Sequence, residues 1–252
     1  MIGIHLSSKK QIGAPMSFLN KFHVAKCLPG AAILVLFLSS CATVPKPVIP
    51  VKPGKEVETL QSMVSLSFSN SRGNMGGRGY LIFKQPDRFH LVVLSPFGFA
   101  VMEVYVDGER ITCLVPSKET AYAGTLTELS DHNALKSWSM MRWVIENPPS
   151  AANSGGVLER ISSRGGKEYL YFDGRGLLER KSNEEGDQVM YRDYRNIAGV
   201  AFPESIELSN RMGDRVKVAF KEPEVNVSVD DASFVPNLEG FTVLPITLFK
   251  GF

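Results

Sequence analysis

Residues 63–70 read MVSLSFSN, which puts Val64, Leu66 and Phe68 on one side of an extended chain and Ser65, Ser67 and Ser69 on the other. Successive side chains of a strand point to opposite faces, so this alternation specifies a β-strand with one buried and one wet face. The same period recurs outward from it in RGYLIFKQ (78–85), RFHLVVL (88–94), AVMEVYV (100–106) and ERITCLVP (109–116). It resumes after the middle of the chain in VLERISSR (157–164), KEYLYFDG (167–174), LLERKSN (177–183), QVMYRDY (188–194), SIELSN (205–210) and DRVKVAF (214–220). The separators include Gln85-Pro86-Asp87, Asp107-Gly108, Gly165-Gly166, Asp173-Gly174, Glu185-Gly186 and Met212-Gly213, which are turn chemistry. About 10–12 short strands in this order predict a mainly β fold, an antiparallel meander that must curl or close at such a width. No break in composition divides residues 57–252, which read as one domain. The glycine-rich stretch RGNMGGRG (72–79) has no GK[ST] after it and leads into a strand, so it reads as a flexible hairpin connection and not as a phosphate loop.

One segment breaks the period. Residues 131–147 (DHNALKSWSMMRWVIEN) predict a helix, with Ser130 or Asp131 at its start and Pro148-Pro149 at its end. Leu135, Trp138, Met141, Val144 and Ile145 form a broad apolar stripe that Met140 and Trp143 widen. That much apolar surface must lie against the sheet. A curved sheet covered by such a helix can close on its own core or leave a cavity.

The amino terminus decides the compartment. The whole chain of 252 residues has 28 basic and 26 acidic groups, but residues 1–40 hold Lys9, Lys10, Lys21 and Lys26 and no acid. The remainder therefore carries 24 basic and 26 acidic groups, which removes electrostatic support for nucleic-acid binding. Residues 28–38 (LPGAAILVLFL) are an apolar run of 11, too short to cross a bilayer and right for a signal peptide. Leu38-Ser39-Ser40-Cys41 fits the bacterial lipobox, so residues 1–40 read as a signal peptide, from a start at Met1 or Met16. Cys41 is then the lipidated first residue of the mature chain. Ala42, where an aspartate would favour the inner membrane, points to the outer membrane. Residues 41–56 form a tether; Thr43–Gly54 has four prolines and is stiff and extended.

Most catalytic chemistry is missing from the sequence. His90 and His132 are the histidines of the mature chain, neither in a zinc or triad pattern, and they read as a strand residue and a helix-start residue. Cys113 sits in a strand and reads as a small buried hydrophobe. Glu184-Glu185 and Asp230-Asp231 read as solvated loop acids. No enzyme, metal or cofactor is expected. The unusual feature is Ser95-Pro96-Phe97-Gly98-Phe99, where Pro96 blocks pairing and Gly98 allows a reversal, leaving two phenylalanines in a turn. Phe97 and Phe99 either project into solvent or fold back under the sheet.

In order along the chain stand the lipobox, a proline-rich spacer, GYLIFKQ (79–85), Asp87-Arg88-Phe89, SPFG (95–98), the Trp-containing helix and AFPESIEL (201–208). This series resembles the LolB family of outer-membrane lipoproteins, and DASFVPNLEGFTVLP (231–245) resembles the closing segment of the wider LolA/LolB-like superfamily. The resemblance implies an incomplete antiparallel β-barrel with a helical lid over an apolar cavity, to which Trp138, Met141, Val144 and Ile145 would contribute. It also implies acceptance of lipoprotein acyl chains from a LolA-like periplasmic carrier and their insertion into outer-membrane lipid. In the family the Pro-Leu-Gly loop exposes a leucine needed for that delivery. Phe97 stands at its position, so Pro96, Phe97, Gly98 and Phe99 become the candidate membrane-insertion loop. The long spacer and tail and the stretch 73–79 depart from the family pattern. They leave two other readings, a lipoprotein that binds another lipid or glycolipid and a structural envelope lipoprotein with a filled barrel.

Overall fold

The alternating runs become strands in the computed structural model, which describes residues 51–70, 73–129, 135, 143–144, 155–162 and 165–250. The signal peptide and Cys41 lie outside the described residues, as does the helix expected over 131–147 except at Leu135, Trp143 and Val144. The first six strands are β1 (Thr59–Asn70), β2 (Gly73–Lys84), β3 (Arg88–Leu94), β4 (Ala100–Asp107), β5 (Arg110–Val115) and β6 (Thr120–Thr125). The next six are β7 (Gly156–Ile161), β8 (Lys167–Phe172), β9 (Leu178–Asn183), β10 (Gln188–Ile197), β11 (Val200–Ser209) and β12 (Arg215–Val225), and β13 (Thr242–Pro245) follows.

The 13 strands among the described residues form one open sheet in the order β13-β6-β5-β4-β3-β2-β1-β12-β11-β10-β9-β8-β7. It consists of two antiparallel meanders, β1–β6 and β7–β12, joined where β1 pairs with β12. The short β13 adds to β6 in parallel. The count exceeds the expected 10–12 because two strands lack a clear period. TAYAGT in β6 is mostly small residues, and β13 is four residues ending in proline.

The glycine-rich stretch is a correction. Residues 73–77 are not a loop but the first half of β2, paired with β1 without interruption from Thr59↔Lys84 to Asn70↔Gly73. A ladder is made by backbone groups, so glycine can extend it while hiding the side-chain pattern. At Gly79 a Cβ would lie 2.4 Å from the Val92 carbonyl oxygen, which closes the position to any side chain.

The register sorts the faces. Leu60, Val64, Leu81, Phe83, Leu91, Val104, Ile111 and Cys113 belong to one buried cluster with Leu170, Val189, Ile206, Val218 and Phe220 from the second meander. This is the inner face. Burial also pushes the Cys113 thiol up to about 12, which leaves it protonated at neutral pH. On the outer face Tyr105, Leu114 and Ala121 form a smaller cluster with Phe241. The C-terminal segment crosses this outer face. Asp231 accepts from Lys84 Nζ (2.6 Å) and Arg88 Nη1 (3.0 Å), and Arg88 stacks on the Phe234 ring at 5.2 Å. After β13 the chain returns inward. Ile246 is fully buried, and Phe249 meets Tyr122 edge-on at 5.3 Å between centroids.

Candidate functional site

Two places on this sheet carry features that packing alone does not require. The first is the turn between β3 and β4. Ser95 closes it: its N–H donates to the Phe99 carbonyl at 2.8 Å, its Oγ accepts from the Phe99 N–H at 3.1 Å, and its carbonyl accepts from the Gly98 N–H at 3.0 Å. Gly98 has φ of 88°, a conformation that a residue with a Cβ rarely adopts. Pro96 precedes it and is exposed. Of the two arrangements open to the phenylalanines, the structure has the projecting one, with Phe97 87% and Phe99 74% exposed. A tight reversal held at its base thus presents two aromatic rings to the surroundings. Burial of either ring would require a partner outside the chain or a rearrangement of the turn.

The second place is the inner face of the second meander, where apolar alternation is interrupted. Glu168 on β8 and Lys181 on β9 are fully buried. Glu168 pairs with Arg160 of β7 and accepts from Trp143 Nε1 at 2.5 Å. Lys181 Nζ donates to the Trp143 carbonyl at 2.9 Å, and Tyr191 OH on β10 donates to the Val144 carbonyl at 2.7 Å. Trp143 and Val144 are helical and, with Leu135, are buried in the main apolar cluster. Trp143 and Val144, in the connection between β6 and β7, are therefore held on the second meander by polar side chains of three strands as well as by their own apolar contacts. A buried charge without such bonds would cost several kcal/mol.

Of the residues expected to form the cavity and lid, Val144 lies at this docking point, while Trp138, Met141 and Ile145 fall outside the described residues. Cys41 and His132 do too. His90 stacks on Tyr105 with centroids 3.9 Å apart on the outer face, its Nε2 3.5 Å from Glu103 Oε2. The His90 contact chiefly lowers the Glu103 carboxyl below the usual range, against burial and with help from Tyr105 OH at 2.6 Å. Among the described residues no cluster of three or more His, Cys, Asp or Glu could hold a metal. Among them too, no helix is long and apolar enough to cross a membrane.

Sequence reasoning missed Glu168 and Lys181. Glu168 was legible in KEYLYF, where it shares a side with Leu170 and Phe172. Lys181 was not: in LERKSN the buried positions are Leu178 and Lys181, three apart, so the period fails.

The family described as Outer membrane lipoprotein LolB matches residues 60–222. Among solved structures, a DUF1329 family protein from Desulfovibrio piger aligns with a TM-score of 0.53 at 13% identity, over 71% of this chain and 90% of its own. A LolA superfamily protein from Nitrosomonas europaea aligns at 0.50 and 11% identity, over 74% of this chain and 93% of its own. A proposed outer membrane lipoprotein-sorting domain from Vibrio parahaemolyticus aligns at 0.51 and 8% identity, over 70% of this chain and 88% of its own. At these identities the likeness is one of fold. No protein of curated function matches the sequence.

Proposed function

The chain belongs to the LolB family of outer membrane lipoproteins, and from that premise we propose that it takes lipoprotein acyl chains from a LolA-like periplasmic carrier and releases them into the outer membrane. The inner wall of the incomplete barrel holds the chains, and the segment 131–147 is the helical lid over it. Cys41 carries the lipid that keeps the protein at the membrane. The role is non-catalytic and needs no cofactor. Each site along the route has only to bind acyl chains more tightly than the one before, and apolar walls replacing water supply the free energy.

The observation that carries this reading is the exposure of Phe97 on a turn closed by Ser95 and Gly98. A phenylalanine entering lipid gains about 1.5–3 kcal/mol. That is small beside several buried acyl chains, so the loop brings the mouth of the inner wall to the bilayer rather than holding the protein there. The test is Phe97→Glu in cells, following where newly made lipoproteins settle. The expected outcome is a folded, membrane-attached protein that no longer delivers its cargo to the outer membrane. Unchanged delivery by a normally folded variant would remove the loop from the mechanism. Acyl peptides recovered by mass spectrometry from the purified chain support the lipoprotein cargo, and free lipid alone would favour the lipid-carrier reading.

A further inference from the structure

The order and direction of the strands put three neighbouring hairpins at the end of the sheet where Phe97 projects. They are β1/β2, β3/β4 and β11/β12, on six strands that are contiguous from β4 to β11. Among the described residues of their end segments, 69–70, 73–78, 94–100 and 209–215, are three arginines (Arg78, Arg211 and Arg215) and one acid, Asp214. The opposite end of the same strands has the reverse balance. Residues 55–59, 84–88, 107–110, 197–200 and 224–226 contain six acids and four bases. The charge of this part of the sheet is thus polarised along the strands, positive where the rings are.

Arg78 pairs in register with Leu94, the residue before the loop, and Arg215 pairs with Ser69 near the tip of the β1/β2 hairpin. Both are exposed, and among the described residues neither forms an ion pair. Met75 and Met212 add exposed apolar surface on the two flanking hairpins. Gly73 and Gly98 have nothing within 4 Å of where a Cβ would stand, so the backbone is open at the tips of both hairpins. The acidic turn of Glu184, Glu185 and Asp187 between β9 and β10 bounds the basic zone beyond Arg211. At the other side Lys118 and Glu119 cancel.

We infer that this end of the sheet is a docking surface for anionic phospholipid headgroups, with Arg78 and Arg215 meeting phosphate while Phe97 and Phe99 enter the apolar layer beneath. The inference rests on the membrane-loop reading above and adds the chemistry of the surface to which the loop is directed. Two exposed rings alone do not orient the molecule, whereas the opposed charge of the two ends turns the loop toward a negative surface and the acidic end away from it.

The test uses the lipidated chain reconstituted in vesicles, with a nitroxide on Phe99→Cys; Cys113 is fully buried and is not labelled. Vesicles are phosphatidylcholine alone or with about one third phosphatidylglycerol. The expected result is a label at hydrocarbon depth in the anionic vesicles, returning to water in 0.5 M salt. Insertion should weaken about fivefold for each arginine removed in Arg78→Gln and Arg215→Gln. Equal insertion in both vesicles, unaltered in the double variant, overturns the headgroup proposal and leaves the loop reading standing. A label that stays in water in every vesicle overturns the loop reading itself. A label protected by an acidic carrier protein but by neither lipid assigns the surface to a protein and also overturns the proposal.

Discussion

The two meanders of one sheet treat their inner faces differently. From β1 to β6 the buried inward side chains are almost wholly apolar, from Leu60 and Leu81 to Val104 and Cys113. From β7 to β12 the same face adds Glu168, Lys181 and the Tyr191 hydroxyl, and all three bond to Trp143 or Val144. An apolar wall has no direction and accepts any hydrophobic partner. A wall with buried charges is committed, because each charge needs its own partner in place. The second meander thus holds this chain's own Trp143 and Val144 through polar bonds, whereas the first contributes an apolar inner face to the shared core.

The largest effect that tests this division is at Glu168. Glu168→Ala should cost about 3–5 kcal/mol in urea unfolding, since Arg160 and Trp143 Nε1 lose their buried acceptor. Leu81→Ala in the first meander should cost a comparable 2–5 kcal/mol through the cavity it leaves. The two should part in tryptophan emission. Loss of Glu168 releases Trp143 and shifts the spectrum, whereas loss of Leu81 leaves it unchanged at equal residual stability. Equal shifts in both variants would erase the distinction between the halves.

How much of this was legible follows from what each feature depends on. Strands with one wet face declare themselves by period, and Val64-Leu66-Phe68 is the clearest case. The projecting Phe97 was half legible: Pro96 and Gly98 marked the turn, but only the Ser95 closure decides which way the rings go. Glycine strand and buried ion pair were hidden for opposite reasons. Residues 73–77 have too few side chains to show a pattern, and at Lys181 the side chain contradicts the pattern it sits in. Trp143 was legible as an apolar helix residue, while its polar bonds depend on strands that join it only in three dimensions.

A smaller effect separates two glycines within the first meander. Gly79→Ala would set its Cβ 2.4 Å from the Val92 carbonyl, and the strand shift needed should cost about 1–3 kcal/mol. Gly77→Ala meets nothing closer than 3.9 Å and should change stability by less than about 1 kcal/mol, with no loss of fold. Chemical denaturation of the two variants checks the contrast. It also sharpens the comparison of the meanders, because it shows where the apolar half is closely packed and where, toward the Phe97 end, it has room.

The smallest expected effect lies on the outer face, where the first meander keeps its own titratable group. Glu103 is held below the ordinary carboxylate range, chiefly by His90. A carboxylate whose folded value is depressed adds stability above its unfolded value, about 4.3, and that stability is lost as pH falls through the folded value. Hydrogen exchange of β3, β4 and the C-terminal segment over them should therefore speed up as pH falls below about 4 in excess of the loss in the rest of the sheet, after correction for intrinsic exchange. Glu103→Gln should remove the excess and leave a flatter profile. Excess loosening of the inner wall at Leu81 and Val104 over the same range would mean that the two faces of the first meander are coupled, and that its apolar side is less independent of charge than the contrast with Glu168 and Lys181 requires.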